Sequence, residues 1–357
     1  MILVLAIAAA LWGIGHLMGT PHKARWIMIG LLYVAVLALQ VALPAGHPLR
    51  MVTGESPAFW LILGGFALLV WGYRQGLGRL RARATETQAA ATDPAVQTGP
   101  FSDAELNRYA RHIVLREVGG VGQKALKDAR VLVVGAGGLG APVLQYLAAA
   151  GVGTIGVIDD DVVENANLQR QVIHRDTDIG VPKVFSAQAA MEAQNPFVTV
   201  RPYHRRLTAE IAQDLMGDYD LVIDGTDNFD TRYLVNEAAV ARGIPLISGA
   251  LTQWEGQLSV FDPASDAPCY RCVFPQAPAA HLAPNCAEAG VIGPLPGVVG
   301  TMMAAEAIKL ITGAGTPLRG EMVIYDALYG ESRKITLKRR DDCETCGHVP
   351  TSKETAR

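Results

Sequence analysis

The chain has 357 residues, of which 50% are hydrophobic and 18% are charged, and its formal net charge at pH 7 is -3. This length accommodates one sizeable α/β domain and a smaller unit, and the apolar excess indicates burial or a lipid bilayer. The negative net charge and the lack of a basic run with interleaved aromatic residues argue against a nucleic-acid partner.

Residues 1–73 carry only four charged side chains, which are Lys23, Arg25, Arg50 and Glu55. The three apolar stretches in this region, 1–18, 26–43 and 58–73, have about the length that a helix needs to cross a bilayer, roughly 17 to 25 residues. We therefore predict a membrane anchor of about three transmembrane helices. A cleavable signal peptide fits poorly, because no positive region precedes the first stretch and two more follow. A hydrophobic hairpin that packs on the soluble domain is the alternative.

Positive residues around these stretches indicate how the anchor is oriented. Lys23 and Arg25 lie between the first two stretches. Four arginines follow the third, namely Arg74, Arg79, Arg81 and Arg83. Because cytoplasmic loops are enriched in Lys and Arg, we expect a multi-pass protein of the bacterial inner membrane with its N-terminus outside and its catalytic part in the cytoplasm. Residues 74–100, rich in Ala, Thr, Gln and Arg, are predicted to form a linker.

A strand, a glycine-rich turn and a helix follow one another from residue 130. The β-branched run 130–134 and the helical pattern 142–150 flank four glycines, Gly135, Gly137, Gly138 and Gly140. A second strand, 154–158, ends at Asp159, whose carboxylate is suited to accept the ribose hydroxyls. This order predicts a Rossmann-like fold that binds phosphate at a helix N-terminus, and it fits an NAD enzyme as well as an ATP enzyme. A P-loop is disfavoured, because no Lys-Ser or Lys-Thr pair follows the glycines.

Four further runs carry a resemblance to a known family: RYARHIVL at 108–115, DVVENANLQRQ at 161–171, GVPK at 180–183 and DGTDN at 224–228. They resemble the ThiF, MoeB and HesA family of ubiquitin-activating-type adenylyltransferases, with the MoeB-type molybdopterin-synthase adenylyltransferases as the nearest branch. The resemblance covers roughly residues 105–347. It implies a catalytic domain at 101–347, followed by a tail at 348–357.

The resemblance also implies a role for each matching residue. Arg170 and Lys183 would neutralise the triphosphate of ATP, and Asn167 would donate a hydrogen bond beside them. Asp227 would hold Mg²⁺, and Arg111 would reach the phosphates from the neighbouring subunit of a homodimer. Such cations are needed because a carboxylate that attacks the α-phosphorus of ATP meets the repulsion between two anions. The full nucleotide set would be Gly135, Gly137, Gly138, Gly140, Asp159, Asn167, Leu168, Gln169, Arg170, Lys183, Asp227 and Asn228.

The five cysteines all follow residue 268. Two C-x-x-C pairs, Cys269 with Cys272 and Cys343 with Cys346, would supply four thiolates to one structural zinc, and both pairs match the family. Two redox pairs or free thiols are the alternative. Cys286, in a proline-rich segment at 275–297, coincides with a cysteine that some relatives use for a transient covalent link to their carrier; a buried spectator thiol is the other interpretation.

The function implied by the resemblance is ATP-dependent adenylation of the C-terminal glycine of a small ubiquitin-like sulfur carrier of the MoaD or ThiS type. It would serve molybdopterin biosynthesis in preference to thiamine biosynthesis, with sulfur from a separate donor. Alternatives are a nicotinamide-dependent oxidoreductase, a non-catalytic membrane scaffold and, within the family, a tRNA-modifying relative. The predicted fold is a mostly parallel central sheet, extended by C-terminal strands at 255–261 and 321–326 and by a helix at 301–311.

Overall fold

The computed structural model of the protein describes residues 2–54, 56–90, 99–277 and 289–350. The chain divides into two compact units, Met1–Val96 and Gln97–Arg357. Each unit has its own hydrophobic core, and each is considered by itself below.

The described part of the first unit is helical. Its helices are α1 (Ile2–Leu17), α2 (His22–Ala42), α3 (Pro48–Thr53) and α4 (Pro57–Ala90). By length and composition, α2 and the stretch Pro48–Gly78 are long and apolar enough to cross a membrane, whereas α1 is apolar but shorter. A small core of Val4, Val36 and Trp60 joins α1, α2 and α4. Many large apolar side chains in these helices are exposed, among them Leu17, Leu31 and Leu69.

Helix α4 is longer than the apolar stretch 58–73. Residues 74–90, which the sequence analysis assigned to the linker, continue the helix to Ala90. Their Arg, Ala, Leu, Glu and Gln residues are good helix formers, which accounts for the continuation. Residues 91–98 of the predicted linker lie outside the described residues.

The second unit is built around an eight-stranded sheet with the order β3-β2-β1-β4-β5-β6-β7-β8. The strands β1 to β5 are parallel, and β6, β7 and β8 extend the sheet by antiparallel pairing. The strand bounds are β1 Arg130–Val134, β2 Thr154–Ile158, β3 Thr199–Tyr203, β4 Leu221–Asp224, β5 Leu246–Leu251, β6 Glu255–Phe261, β7 Glu321–Asp326 and β8 Glu331–Thr336. The predicted α/β fold with its C-terminal extension is therefore confirmed.

Helices cover both faces of this sheet. Their bounds are α5 Asp103–Ile113, α6 Gly119–Asp128, α7 Gly140–Ala150, α8 Lys183–Gln194, α9 Ala209–Met216, α10 Phe229–Arg242, α11 Tyr270–Val273 and α12 Pro294–Thr312. One core lies between the sheet and the helices α7, α8 and α12, and the other lies between the sheet and the helices α9 and α10. The near-continuous burial of β1, β2 and β4 follows from this two-sided cover.

Helix α12 also has the length and hydropathy of a membrane span. In the fold, however, its side chains Val299, Met303 and Ala307 are fully buried against the sheet and α7. Its apolar character is thus explained by packing inside the second unit. The helix begins at Pro294, seven residues before the predicted start at 301, because proline is well tolerated in the first turn.

Candidate active site

A cleft of about 1090 Å³ opens at the carboxyl ends of β1, β2 and β4. The chain turns to one side of β1 to form β2 and β3 and to the other side to form β4 and β5, and in such sheets this switch point is the usual ligand site. Nine of the residues that the sequence assigned to the nucleotide line this cleft: Gly135, Gly137, Gly138, Asp159, Asn167, Arg170, Lys183, Asp227 and Asn228.

The glycine-rich turn leaves β1 and enters α7. Gly135 has φ +95°, a left-handed conformation that glycine adopts without strain. A Cβ on Gly140 would lie 1.9 Å from the carbonyl oxygen of Gly135, so this glycine permits the close approach of strand and helix. Gly140 is buried and does not line the cleft. A Cβ on Gly137, in contrast, would meet only the side-chain nitrogen of Gln171, 3.7 Å away.

Asp159 stands at the end of β2 with both carboxylate oxygens engaged. Its Oδ2 accepts a hydrogen bond from the backbone N–H of Ala136 at 2.7 Å, and its Oδ1 accepts one from that of Asp161 at 2.8 Å. Burial raises the pKa of Asp159, while the Lys183 ammonium and the two N–H groups act in the opposite direction. The carboxylate thereby links the glycine turn to the end of the second strand.

Two cations and an amide lie beside this carboxylate. Lys183 is buried and forms a 2.6 Å ion pair with the exposed carboxylate of Asp161. Arg170 lines the cleft and donates to the carbonyl of Ala166 at 3.0 Å. Asn167 is buried in a short 3-10 turn, where its Oδ1 accepts a hydrogen bond from Gln171. Asn167 and Arg170 come from the connection between β2 and α8, and Lys183 is the first residue of α8.

The opposite wall of the cleft follows β4. Asp227 is exposed there, and the Asn228 side chain caps α10 by accepting the N–H of Thr231 at 2.9 Å. The polar network beneath them was not predicted from the sequence. The buried carboxylate of Asp224 accepts hydrogen bonds from Ser248 and Thr226 and lies 3.9 Å from the guanidinium of Arg232. Thr226 lies in the same run as Asp224, but Ser248 and Arg232 come from β5 and α10, so no local motif marks these two.

The residues present fit a nucleoside triphosphate with a divalent cation. The open space over Gly137 and the N-terminus of α7 leave room for phosphate, which backbone N–H groups favour at such a position. Arg170 and Lys183 supply positive charge, and Arg205 and Arg206 add to it at the cleft. Asp227 offers the hard oxygen ligand that Mg²⁺ prefers.

Besides Gly140, three of the selected residues do not line the cleft. Leu168 and Gln169 belong to the turn of Asn167 but do not line the cleft. Arg111 is exposed in the last turn of α5 and does not line the cleft. Cys286 lies outside the described residues.

The other four cysteines form one buried cluster. Cys269 and Cys272 lie at the start of α11, and Cys343 and Cys346 come from the C-terminal turn, with sulfur atoms 3.4 to 3.8 Å apart across three of the pairs. Four thiolates at about 2.3 Å from a tetrahedral zinc would be about 3.8 Å from one another, so the cluster fits this metal. Burial raises the pKa of the Cys346 thiol to about 12.

Comparisons with known proteins point to one family. The model of the ThiF family matches residues 109–345. The sulfur carrier protein adenylyltransferase of Thermus thermophilus is 52% identical over 258 residues, which cover 71% of this chain and 95% of that protein. The SAMP-activating enzyme E1 of Haloferax volcanii is 48% identical, over 68% of this chain and 89% of that enzyme.

Solved structures support the same fold. The crystal structure of E. coli MccB with MccA-N7isoASN aligns with a TM-score of 0.60 at 23% identity, covering 70% of this chain and 76% of that one. The crystal structure of PaaA also aligns with a TM-score of 0.60, at 24% identity, over 74% of this chain and 83% of that one.

Proposed function

The chain belongs to the ThiF family, and on that premise we propose that it uses ATP to adenylate the C-terminal glycine carboxylate of a small ubiquitin-like sulfur-carrier protein. The observation that carries this proposal is the cleft itself, in which Asp159, Arg170, Lys183 and Asp227 converge at the carboxyl ends of the parallel strands. A nicotinamide-dependent oxidoreductase would share the glycine turn and Asp159. NAD, however, carries a diphosphate and releases no pyrophosphate, so it accounts less well than ATP for the two cations Arg170 and Lys183.

In the proposed reaction, an oxygen of the carrier carboxylate attacks the α-phosphorus of ATP, and the bond to the pyrophosphate leaving group breaks. Asp159 orients the ribose, and the glycine turn holds the phosphates through its N–H groups. Lys183 and Arg170 lower the repulsion between the two anions and stabilise the negative charge that moves onto pyrophosphate. Asp227 would hold Mg²⁺, which supplies further charge neutralisation when it is bound. The buried cluster of four cysteines would hold a structural zinc.

We propose that Arg111 serves the cleft of a second subunit in a homodimer. Its exposure and its absence from the cleft of its own chain support a role in trans. Apolar side chains around it, Val114, Leu115 and Val121, are 73%, 49% and 86% exposed, as a surface covered by another chain would be.

We propose that the first unit anchors the enzyme in the bacterial inner membrane, with the catalytic unit on the cytoplasmic side. Support comes from the apolar helices α2 and α4 and from the placement of Lys23, Arg25 and Arg74.

The carrier is of the MoaD or ThiS type, with molybdopterin biosynthesis favoured over thiamine biosynthesis and a separate protein as the sulfur donor. Cys286 is proposed as a candidate for a transient covalent link to the carrier.

Exchange of pyrophosphate into ATP tests the proposed reaction. The full-length protein in detergent is assayed with MgATP and with carriers that end in Gly-Gly, and the exchange should require the carrier. A carrier that lacks the final glycine is the control and should give no exchange. Failure of every MoaD-type and ThiS-type carrier to support exchange would contradict the proposal, and binding of NAD in place of ATP would favour the oxidoreductase.

A further inference from the structure

Both polar groups of Ala136 are held by side chains. This residue is the first after Gly135 in the glycine turn, and it is fully buried. Its N–H donates to the carboxylate of Asp159 at 2.7 Å, and its carbonyl oxygen lies 3.0 Å from Nε2 of His174. These two contacts hold the glycine turn from both sides, at the residue where the backbone stops pairing with the neighbouring strands.

His174 is oriented by a chain of two further side chains. Its Nδ1 lies 2.8 Å from the hydroxyl oxygen of Ser186, which in turn lies 2.7 Å from a carboxylate oxygen of Asp178. A carbonyl oxygen accepts hydrogen bonds but cannot donate them, so Nε2 must carry the hydrogen that points at Ala136. The single hydrogen of the Ser186 hydroxyl is donated to the Asp178 carboxylate, so the hydroxyl oxygen accepts from Nδ1 when the ring carries both protons. In the neutral ring, which burial favours by lowering the pKa of His174, the Ser186 hydroxyl can donate to Nδ1 only by turning away from Asp178. The Nε2 donor is the same if the ring gains a proton.

The bond from His174 determines where the next N–H points. The peptide bond between Ala136 and Gly137 is trans, so its carbonyl and its N–H point in opposite directions. Because the carbonyl faces the buried ring of His174, the N–H of Gly137 faces away from it. Gly137 lines the cleft and His174 does not. An N–H that points away from His174 and belongs to a residue of the cleft wall is available to a ligand of the cleft.

We propose that His174 is a positioning residue that aims the N–H of Gly137 at the phosphates of ATP by holding the carbonyl of Ala136. This inference rests on the proposed function, because it takes ATP as the ligand of the cleft. Ser186 and Asp178 act one step further away, since they hold the ring in place at Nδ1. This positioning role requires no contact between His174 and ATP.

Two substitutions of similar size separate this role from a merely structural one. The amide nitrogen of a glutamine overlays Nε2 of histidine, whereas that of an asparagine overlays Nδ1. His174→Gln keeps a donor at the Ala136 carbonyl, and His174→Asn leaves that carbonyl unpaired. We expect calorimetry with MgATP on the full-length protein to show binding roughly tenfold weaker for His174→Asn and within about threefold of the wild type for His174→Gln. In pyrophosphate exchange, the same difference should appear in KM for ATP and less in kcat.

Asn195→Leu is the matched control. Asn195 is also fully buried, and it also donates from its side chain to a backbone carbonyl, that of Ala148, at 2.6 Å. It does not line the cleft, so the variant should lose thermal stability while its affinity for MgATP stays within about threefold. Equal affinities of the Gln and Asn variants of His174 would overturn the positioning role alone. A wild-type protein that binds no MgATP would overturn the proposed function and this inference with it.

Discussion

The buried ammonium of Lys183 makes the sharpest prediction at the scale of single residues. Its Nζ pairs with Asp161 at 2.6 Å, and the side chain lies in the cleft where the phosphates are expected. Lys183→Met should lower carrier-dependent pyrophosphate exchange by roughly 100-fold or more, because a preorganised charge on the transferring phosphoryl group is lost. Lys124→Met is the control, since Lys124 is exposed and pairs with Asp128 along its own helix. Equal activity in the two variants would contradict the role of Lys183.

Asp159 predicts a dependence of ATP use on pH. Burial raises its pKa in the folded protein, so the carboxylate takes up a proton at a higher pH than an exposed aspartate does. The ionised form accepts the N–H of Ala136 and is needed for the ribose, so kcat/KM for ATP should fall as the pH falls through this raised pKa. The profile of pyrophosphate exchange against pH measures it. Asp159→Asn should abolish the fall in kcat/KM at low pH. Asp160→Asn changes the exposed neighbouring residue and should retain this fall.

The sequence predicted the polar residues that line the cleft better than it predicted their supports, which are the residues that position parts of the site through hydrogen bonds. Asp159, Asn167, Arg170, Lys183 and Asp227 lie in short runs with family spacing, and the structure brings all five to one cleft. The supports were missed because their partners are distant in sequence. His174 meets a carbonyl 38 residues away, and Asp224 meets Ser248 24 residues away. Contacts between residues so distant in sequence depend on how the strands β1, β4 and β5 pair, and a local sequence pattern does not specify this pairing.

At the scale of elements, the cysteine cluster predicts that zinc joins two distant segments. Residues 269–272 and 343–346 are held together through their four sulfur atoms, and a backbone N–H of Arg340 also donates to Cys272. Cys343→Ser should abolish stoichiometric zinc, measured by mass spectrometry of the purified protein, and should lower the melting temperature by several degrees. Glu344→Gln changes the exposed residue between the ligands and should retain zinc. Unchanged zinc content in Cys343→Ser would show that the cluster holds no metal.

Strands were predicted more accurately than helix ends. The runs at 130–134, 154–158, 255–261 and 321–326 coincide with strands of the structure, because β-branched or alternating apolar residues mark buried strands directly. Helix α12 begins earlier than its apolar pattern suggested. Helix ends are set by capping and by packing on neighbouring elements, which the pattern of apolar residues does not report.

At the scale of the whole molecule, the placement of positive residues predicts the topology of the anchor. Alkaline phosphatase, which is active only outside the cytoplasm, should be inactive when it is fused after Arg83 and active when it is inserted after Gly46. The reason is that Lys23 and Arg25 precede the apolar part of α2, and Arg74 follows the apolar part of α4, so both positive segments are expected in the cytoplasm. The reverse pattern of activities would invert the proposed orientation.

The proposed role of Arg111 in trans predicts that two chains contribute residues to each active site. If each cleft uses its own Asp227 and the Arg111 of the other subunit, Arg111→Ala and Asp227→Ala should each be inactive as pure proteins. Co-expressed in equal amounts, they form mixed dimers in which one cleft has both residues intact, so about one quarter of all clefts should regain activity. Pyrophosphate exchange by the co-expressed proteins measures this recovery, with each pure variant as the baseline. If Arg111 served the cleft of its own chain, each cleft in a mixed dimer would still lack one of the two residues and no activity would return.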